Sequence, residues 1–209
     1  EPTAEILART QPNLLDLGVA VFSGLAGSLL MYPDRTFQQV GTRINWATGS
    51  TKGIPEREVR DGLPIECLTG ASMLIPLKIL EKVGPLDESY FLYFEDAEFC
   101  LRAEDRHIPI NLALRSRVYH KEGATTGKKS PMTQYYYQRN RLKLLYDYAP
   151  PGSRWMIATY NYFRVFRSWL KGLGGNPEKK ASAEIHMLAL QDYLKGVEGS
   201  CPHQQLTKR

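Results

Sequence analysis

The 209-residue sequence has only three cysteines, at 67, 100 and 201. Their number is odd and none sits at a metal-type spacing, so neither a disulfide framework nor a zinc module is expected. They read as reduced thiols in a cytosolic compartment. No apolar run reaches the roughly 18 residues that span a bilayer, and no signal-peptide pattern opens the chain. An integral membrane protein and a secreted one are therefore not expected. No internal repeat is present, which sets aside solenoids and propellers. The hydrophobic fraction of 43% and the charged fraction of 23% are those of an ordinary globular chain with one sizeable core.

Acidic and basic residues are unevenly divided. Residues 1–114 carry 10 Lys and Arg against 16 Asp and Glu, a net −6. Residues 115–209 carry 17 against 6, a net +11, which together give the formal +5. A basic last half either faces something anionic or is a solvated face.

Along the chain, residues 3–10 read as the end of a helix stopped by Pro12-Asn13. "LGVAVFSG" and "GSLLMYP" read as strands, and residues 37–53 as a hairpin or extended loop punctuated by glycine. Residues 52–64 are polar and read as a mobile surface loop. "IECLTGASMLIP" reads as a strand interrupted at Thr69-Gly70. "LKILEKVG" reads as a two-turn helix with Leu77, Leu80 and Val83 inward and Gly84 at its end. "IPINLAL" and "SRVYH" read as two more strands. Three helices follow, in residues 131–150, 154–172 and 183–199.

The stretch "YFLYFEDAEFCLR", residues 90–102, places adjacent carboxylates at the end of an apolar run, where desolvation makes charge expensive. Asp96 and Glu98 fit the first turn of a helix, where acids face the positive end of the dipole. That leaves "YFLYF" unexplained. It reads as a buried element delivering the pair rigidly to the mouth of the helix, as a general base requires. Adjacent carboxylates also resist simultaneous ionisation, so one of the two can titrate closer to neutrality.

Residues 69–127, "TGASMLIPLKILEKVGPLDESYFLYFEDAEFCLRAEDRHIPINLALRSRVYHKEGATTG", resemble the acceptor-side half of a family 2 glycosyltransferase of the rhamnosyltransferase-like branch. The likeness continues through "YYYQRNRLKLL" and "LQDYLKGVEG". It implies an α/β fold: the C-terminal half of a GT-A-like mixed-sheet domain over residues 1–127, followed by a helical extension over 128–209. It implies Asp96 as the base that deprotonates the acceptor hydroxyl, with Glu95 orienting it or touching the acceptor. Thr69, Gly70 and Ala71 match the loop that approaches the acceptor sugar; read without the family they are a bulge in a strand. His120 matches a ligand of the divalent ion, Mg or Mn, that holds the donor diphosphate; read alone it is a surface or packed histidine.

The donor-gripping Asp-x-Asp of such enzymes is missing. The eight aspartates fall at 16, 34, 61, 87, 96, 105, 147 and 192, and no two are spaced by one residue. The expectation is therefore a chain with a base and no donor clamp, inactive alone, with the divalent metal belonging to the full-length enzyme. It would work beside a separate donor half or pair with a second copy to cover the exposed sheet edge. The parent enzyme would be an inverting, metal-dependent transferase that takes a nucleotide-sugar donor and builds a bacterial cell-surface glycan on a glycan or lipid-linked acceptor. The alternative is a non-catalytic binding or interaction module that kept the fold.

The helix from Arg154, "RWMIATYNYFRVFRSWLKG", is apolar nearly all round with basic residues between. It reads either as an interfacial helix on an anionic membrane or as a buried packing helix. The resemblance favours the first and implies a cytoplasmic protein peripheral at the inner face of the membrane. No nucleic-acid module accompanies these residues, and nucleic acid is not an expected partner.

Overall fold

A computed structural model describes residues 24–46, 48, 50–121, 130–150, 152–203 and 206. The expected helix at 3–10 and nearly all of the strand "LGVAVFSG" lie outside these residues. The fold class is α/β, with a mixed sheet and helices in two compact units. Within the described residues the first unit comprises the chain up to Arg43, Gly53–Pro85 and Phe99–Lys121. The second comprises Ile44–Lys52, Leu86–Glu98 and the helices from residue 130 onward.

In the first unit, β1 (Leu25–Met31) is the central strand. Its run LAGSLLM is apolar enough to be buried on both faces. Parallel to it lies β6 (Ile110–Tyr119), and antiparallel to it lie β2 (Phe37–Gln39) and β5 (Met73–Leu74). The two strands expected at 108–120 are one. Ser28 faces Ala113 but Leu29 faces Arg117, so residues 114–116 bulge out of the ladder where the sequence pattern breaks. The strand expected over 65–76 shrinks to β5, because Gly70–Ser72 fold into a single 3-10 turn. Residues 54–63 are anchored at both ends by the buried Ile54 and Leu63.

Helix α1 (Leu77–Val83) ends where Gly84 takes φ 93°, a conformation that favours glycine. It buries Ile79 and Val83, whereas Leu77, expected inward, is exposed. The Arg102 guanidinium donates to Val83 O at 2.9 Å and Pro85 O at 2.8 Å, satisfying carbonyls at the end of α1. A hairpin of β3 (Thr42–Asn45) and β4 (Ser50–Gly53) matches the expected turn region.

The second unit contains α3 (Pro131–Tyr148), α4 (Arg154–Gly172) and α5 (Pro177–Leu194). Two of these helices start the same way. The Ser130 hydroxyl accepts from Thr133 N–H and the Asn176 amide oxygen from Lys179 N–H, each with proline at the first helical position. That cap moves the start of α5 six residues ahead of the expected one. Tyr135, Tyr136, Ile185 and Ala189 form one core cluster, and Leu142, Val165 and Leu190 another. At Gly172 an added Cβ would stand 3.2 Å from Lys180 Cα, so α4 and α5 meet closely at that point.

Candidate active site around Glu95 and Asp96

The acid pair opens helix α2 (Glu95–Asp105) and lies in the second unit. Glu95, Asp96 and Glu98 all fall in its first turn, where the free N–H groups and the helix dipole favour negative charge. Asp96 Oδ1 accepts from Ala97 N–H at 2.8 Å. Glu98 is buried and accepts from the Tyr148 hydroxyl at 2.6 Å. The helix mouth expected from the sequence is therefore present.

"YFLYF" is not a buried strand. Tyr90 and Phe94 are buried, but Phe91 is exposed, and the backbone coils through left-handed positions at Phe91 (φ 60°), Tyr93 (φ 66°) and Phe94 (φ 73°). For residues with a Cβ this costs roughly 1–2 kcal/mol each. Such a loop persists only where its surroundings over-determine it. Here they are the middle of α3. The Asn140 amide nitrogen donates to Tyr90 O and Leu92 O at 2.7 Å and to Tyr93 O at 2.9 Å. Arg139 donates to Ser89 O and Tyr90 O, and its Nε donates to Asn140 Oδ1 at 2.9 Å, which fixes the orientation of that amide. Phe91 stacks on Tyr136, and Tyr93 and Phe94 pack on Tyr137. The Tyr137 hydroxyl pairs with Thr51 at the hairpin tip at 2.7 Å. Asn140 and Arg139 thus set where Glu95 and Asp96 begin. Sequence reading passed them over; the available signal was four consecutive polar residues, Gln138 to Arg141, inside an apolar helix.

The two carboxylates are not equivalent. Glu95 Oε2 is buried and has no hydrogen-bond partner among the described residues. Burial, and then the adjacent Asp96 charge, push the Glu95 carboxyl above the ordinary range. Glu95 therefore keeps its proton to a higher pH than an ordinary glutamate does. A carboxylate held at a helix mouth in this way can accept a proton from a neighbouring hydroxyl.

The other expected residues lie in the first unit. Thr69 precedes the 3-10 turn, and Gly70 and Ala71 form it, so the bulge reading gives way to a turn. Gly70 and Ala71 line a recess of about 380 Å³ with Gly27, Ser28, Ser72 and Ser116. Its three hydroxyls are linked, Ser72 donating to Ser28 at 2.9 Å and Ser28 pairing with Ser116 at 2.9 Å. Each keeps hydrogen-bonding capacity for a polyhydroxylated ligand. His120 sits beyond the other end of β1. Its N–H donates to Met31 O, and its Nδ1 pairs with Gln38 at 3.2 Å. Ser28 and Met31 are three residues apart, roughly 10 Å along the strand, so the structure does not bring His120 to the recess. Among the described residues no three His, Cys, Asp or Glu side chains converge as metal ligands. His120 by itself does not make a metal centre.

One further cluster gathers a histidine, a tyrosine and a cysteine around an acid. His203 Nε2 and the Tyr135 hydroxyl both meet Asp192 Oδ2, with Cys201 nearby. Burial pushes the Cys201 thiol up, away from the thiolate a nucleophile needs.

Comparison with known proteins gives two partial matches. The family described as Domain of unknown function (DUF389) matches residues 1–48, a span that ends in the β3–β4 hairpin. The low-salt glycan biosynthesis hexosyltransferase Agl10 of Haloferax volcanii is 40% identical over 47 residues. That stretch is 22% of this chain and 15% of the hexosyltransferase. Over that stretch the chain is similar to a sugar-transferring enzyme of glycan biosynthesis.

Proposed function

We propose that this chain is the acceptor-binding and catalytic-base portion of a family 2, GT-A-type glycosyltransferase that uses a nucleotide-sugar donor to build a cell-surface glycan. The observation that carries the reading is the acid pair itself. Two carboxylates stand at a helix mouth, one of them half-buried with an unpaired oxygen, on a strained loop that α3 clamps from behind. The partial likeness to a glycan hexosyltransferase supports the same class.

In this reading Asp96 removes the proton from the acceptor hydroxyl as its oxygen attacks the anomeric carbon of the donor sugar. The new C–O bond forms as the bond to the nucleotide diphosphate breaks, and the diphosphate leaves with the electron pair. Attack from the opposite face inverts the anomeric centre. Glu95, whose carboxyl burial raises above the ordinary range, orients Asp96 or hydrogen-bonds the acceptor. The donor and its divalent ion are bound by a part supplied from outside these residues, with His120 contributing one ligand. The missing Asp-x-Asp favours the second reading, a binding module without catalysis.

The portion reading is tested on the 209-residue chain alone. It is expected to transfer no hexose from any nucleotide hexose. Turnover by the isolated chain that disappears in Asp96→Asn would overturn it.

A further inference from the structure

Helix α4 turns its apolar residues in two directions. Ile157, Asn161, Val165 and Gly172 are buried. On the opposite side Trp155, Phe163, Phe166, Leu170 and Leu173 follow the same helical spacing and are open to solvent. Trp155 is 69% exposed, Phe163 60% and Phe166 51%, values that a core-facing aromatic does not reach. Phe166 and Trp169 stack at 5.8 Å, so part of the stripe is already ordered. Tyr162 and Trp169 border it on one side, Arg167 and Lys171 on the other, and all four are exposed. The helix contains four basic residues and no acid. Arg164 faces inward and donates to Gln138 at 2.6 Å, and Arg154 lies over the Tyr146 ring, so Arg167 and Lys171 are the cations beside the stripe.

We infer that this face of α4 lies in the interface of an anionic lipid bilayer. Two features select lipid over a protein partner. Tryptophan and tyrosine at the rim of an apolar stripe, with basic residues on its flank, match the layering of headgroup over acyl chain. The uniform positive sign matches an anionic surface, whereas a protein interface core is depleted of charge and balanced at its rim. Among the described residues no helix is long and apolar enough to cross a membrane, so α4 lies in the plane of the surface over roughly 28 Å. The inference stands independently of the sugar-transfer reading.

Co-sedimentation of the 209-residue chain with phosphatidylglycerol and with phosphatidylcholine vesicles tests it, alongside quenching of tryptophan fluorescence by brominated lipid. The wild type is expected to sediment with phosphatidylglycerol at low salt, more weakly at 0.15 M and least with phosphatidylcholine. Arg167→Glu with Lys171→Glu should weaken partition about thirty-fold or more. Phe163→Ser with Phe166→Ser should abolish both sedimentation and quenching, with an unchanged circular dichroism spectrum because both rings are exposed. Wild type that stays in the supernatant with phosphatidylglycerol at low salt overturns the inference. So does a concentration-dependent dimer that the Phe163 and Phe166 changes dissociate while vesicles bind nothing, because the face would then meet a second copy.

Discussion

Replacing Asn140 probes the loop that carries the acid pair. Its amide nitrogen serves three carbonyls with two hydrogens, and its oxygen accepts from Arg139. Asn140 is fully buried. In Asn140→Ala the nitrogen's hydrogen bonds are lost at about 1 kcal/mol each, and Arg139 Nε is orphaned at about 1–2 kcal/mol, so the loss is about 3–4 kcal/mol. Asn140→Asp is the sharper change because it keeps the shape. It strengthens the bond from Arg139 but turns an acceptor toward three carbonyl oxygens, so its loss should equal or exceed that of the alanine variant. Urea unfolding measures both values. Native-state hydrogen exchange should show lost protection at residues 90–97 in both variants while the first unit keeps its own. A loss under about 1 kcal/mol in either variant, or unchanged exchange in the loop, would refute the claim that Asn140 holds it.

Two pH dependences follow from buried groups of opposite sign. Glu95 has a raised folded pKa, so its contribution is fully present below the ordinary carboxylate value of 4.5 and is lost as pH rises through the folded value. Glu95→Gln should therefore raise the melting temperature relative to wild type increasingly from pH 4 to pH 7, and a gap independent of pH would contradict the assignment. His186 is driven down to about 4, first by burial and then by Arg164 and Arg141. Its folded pKa lies below the unfolded 6.5, so stability is lost as pH falls from 6.5 toward 4. His186→Gln should flatten that limb of the thermal-melt profile, and an unchanged acid limb would remove His186 as its source.

Local patterns in the sequence read through to structure where one rule governed. GSLLMYP became β1, LKILEKVG ended at its glycine, and the helices from 131 and 154 began where expected. The acid pair at a helix mouth was legible for the same reason, since dipole and free N–H groups act locally. Positions set by distant contacts were not. "YFLYF" is apolar enough for a buried strand, but three left-handed residues held by Asn140 and Arg139, more than forty positions later, make it a loop. Gln138 to Arg141 drew no structural reading from the sequence, yet all four are buried. The aromatic helix could not be oriented from an all-round apolar pattern. Only packing on α5 shows which side is covered and which is left open.

The central claim is that Asp96 carries base chemistry in sugar transfer. The direct measurement joins this chain to a nucleotide-sugar-binding half and compares hexose transfer by the wild type with that of Asp96→Asn. The account predicts turnover lower by about 10²–10⁴-fold, the span of general-base catalysis, with donor affinity nearly unchanged. Full turnover in Asp96→Asn would contradict it and leave Asp96 as no more than the first-turn acid of α2.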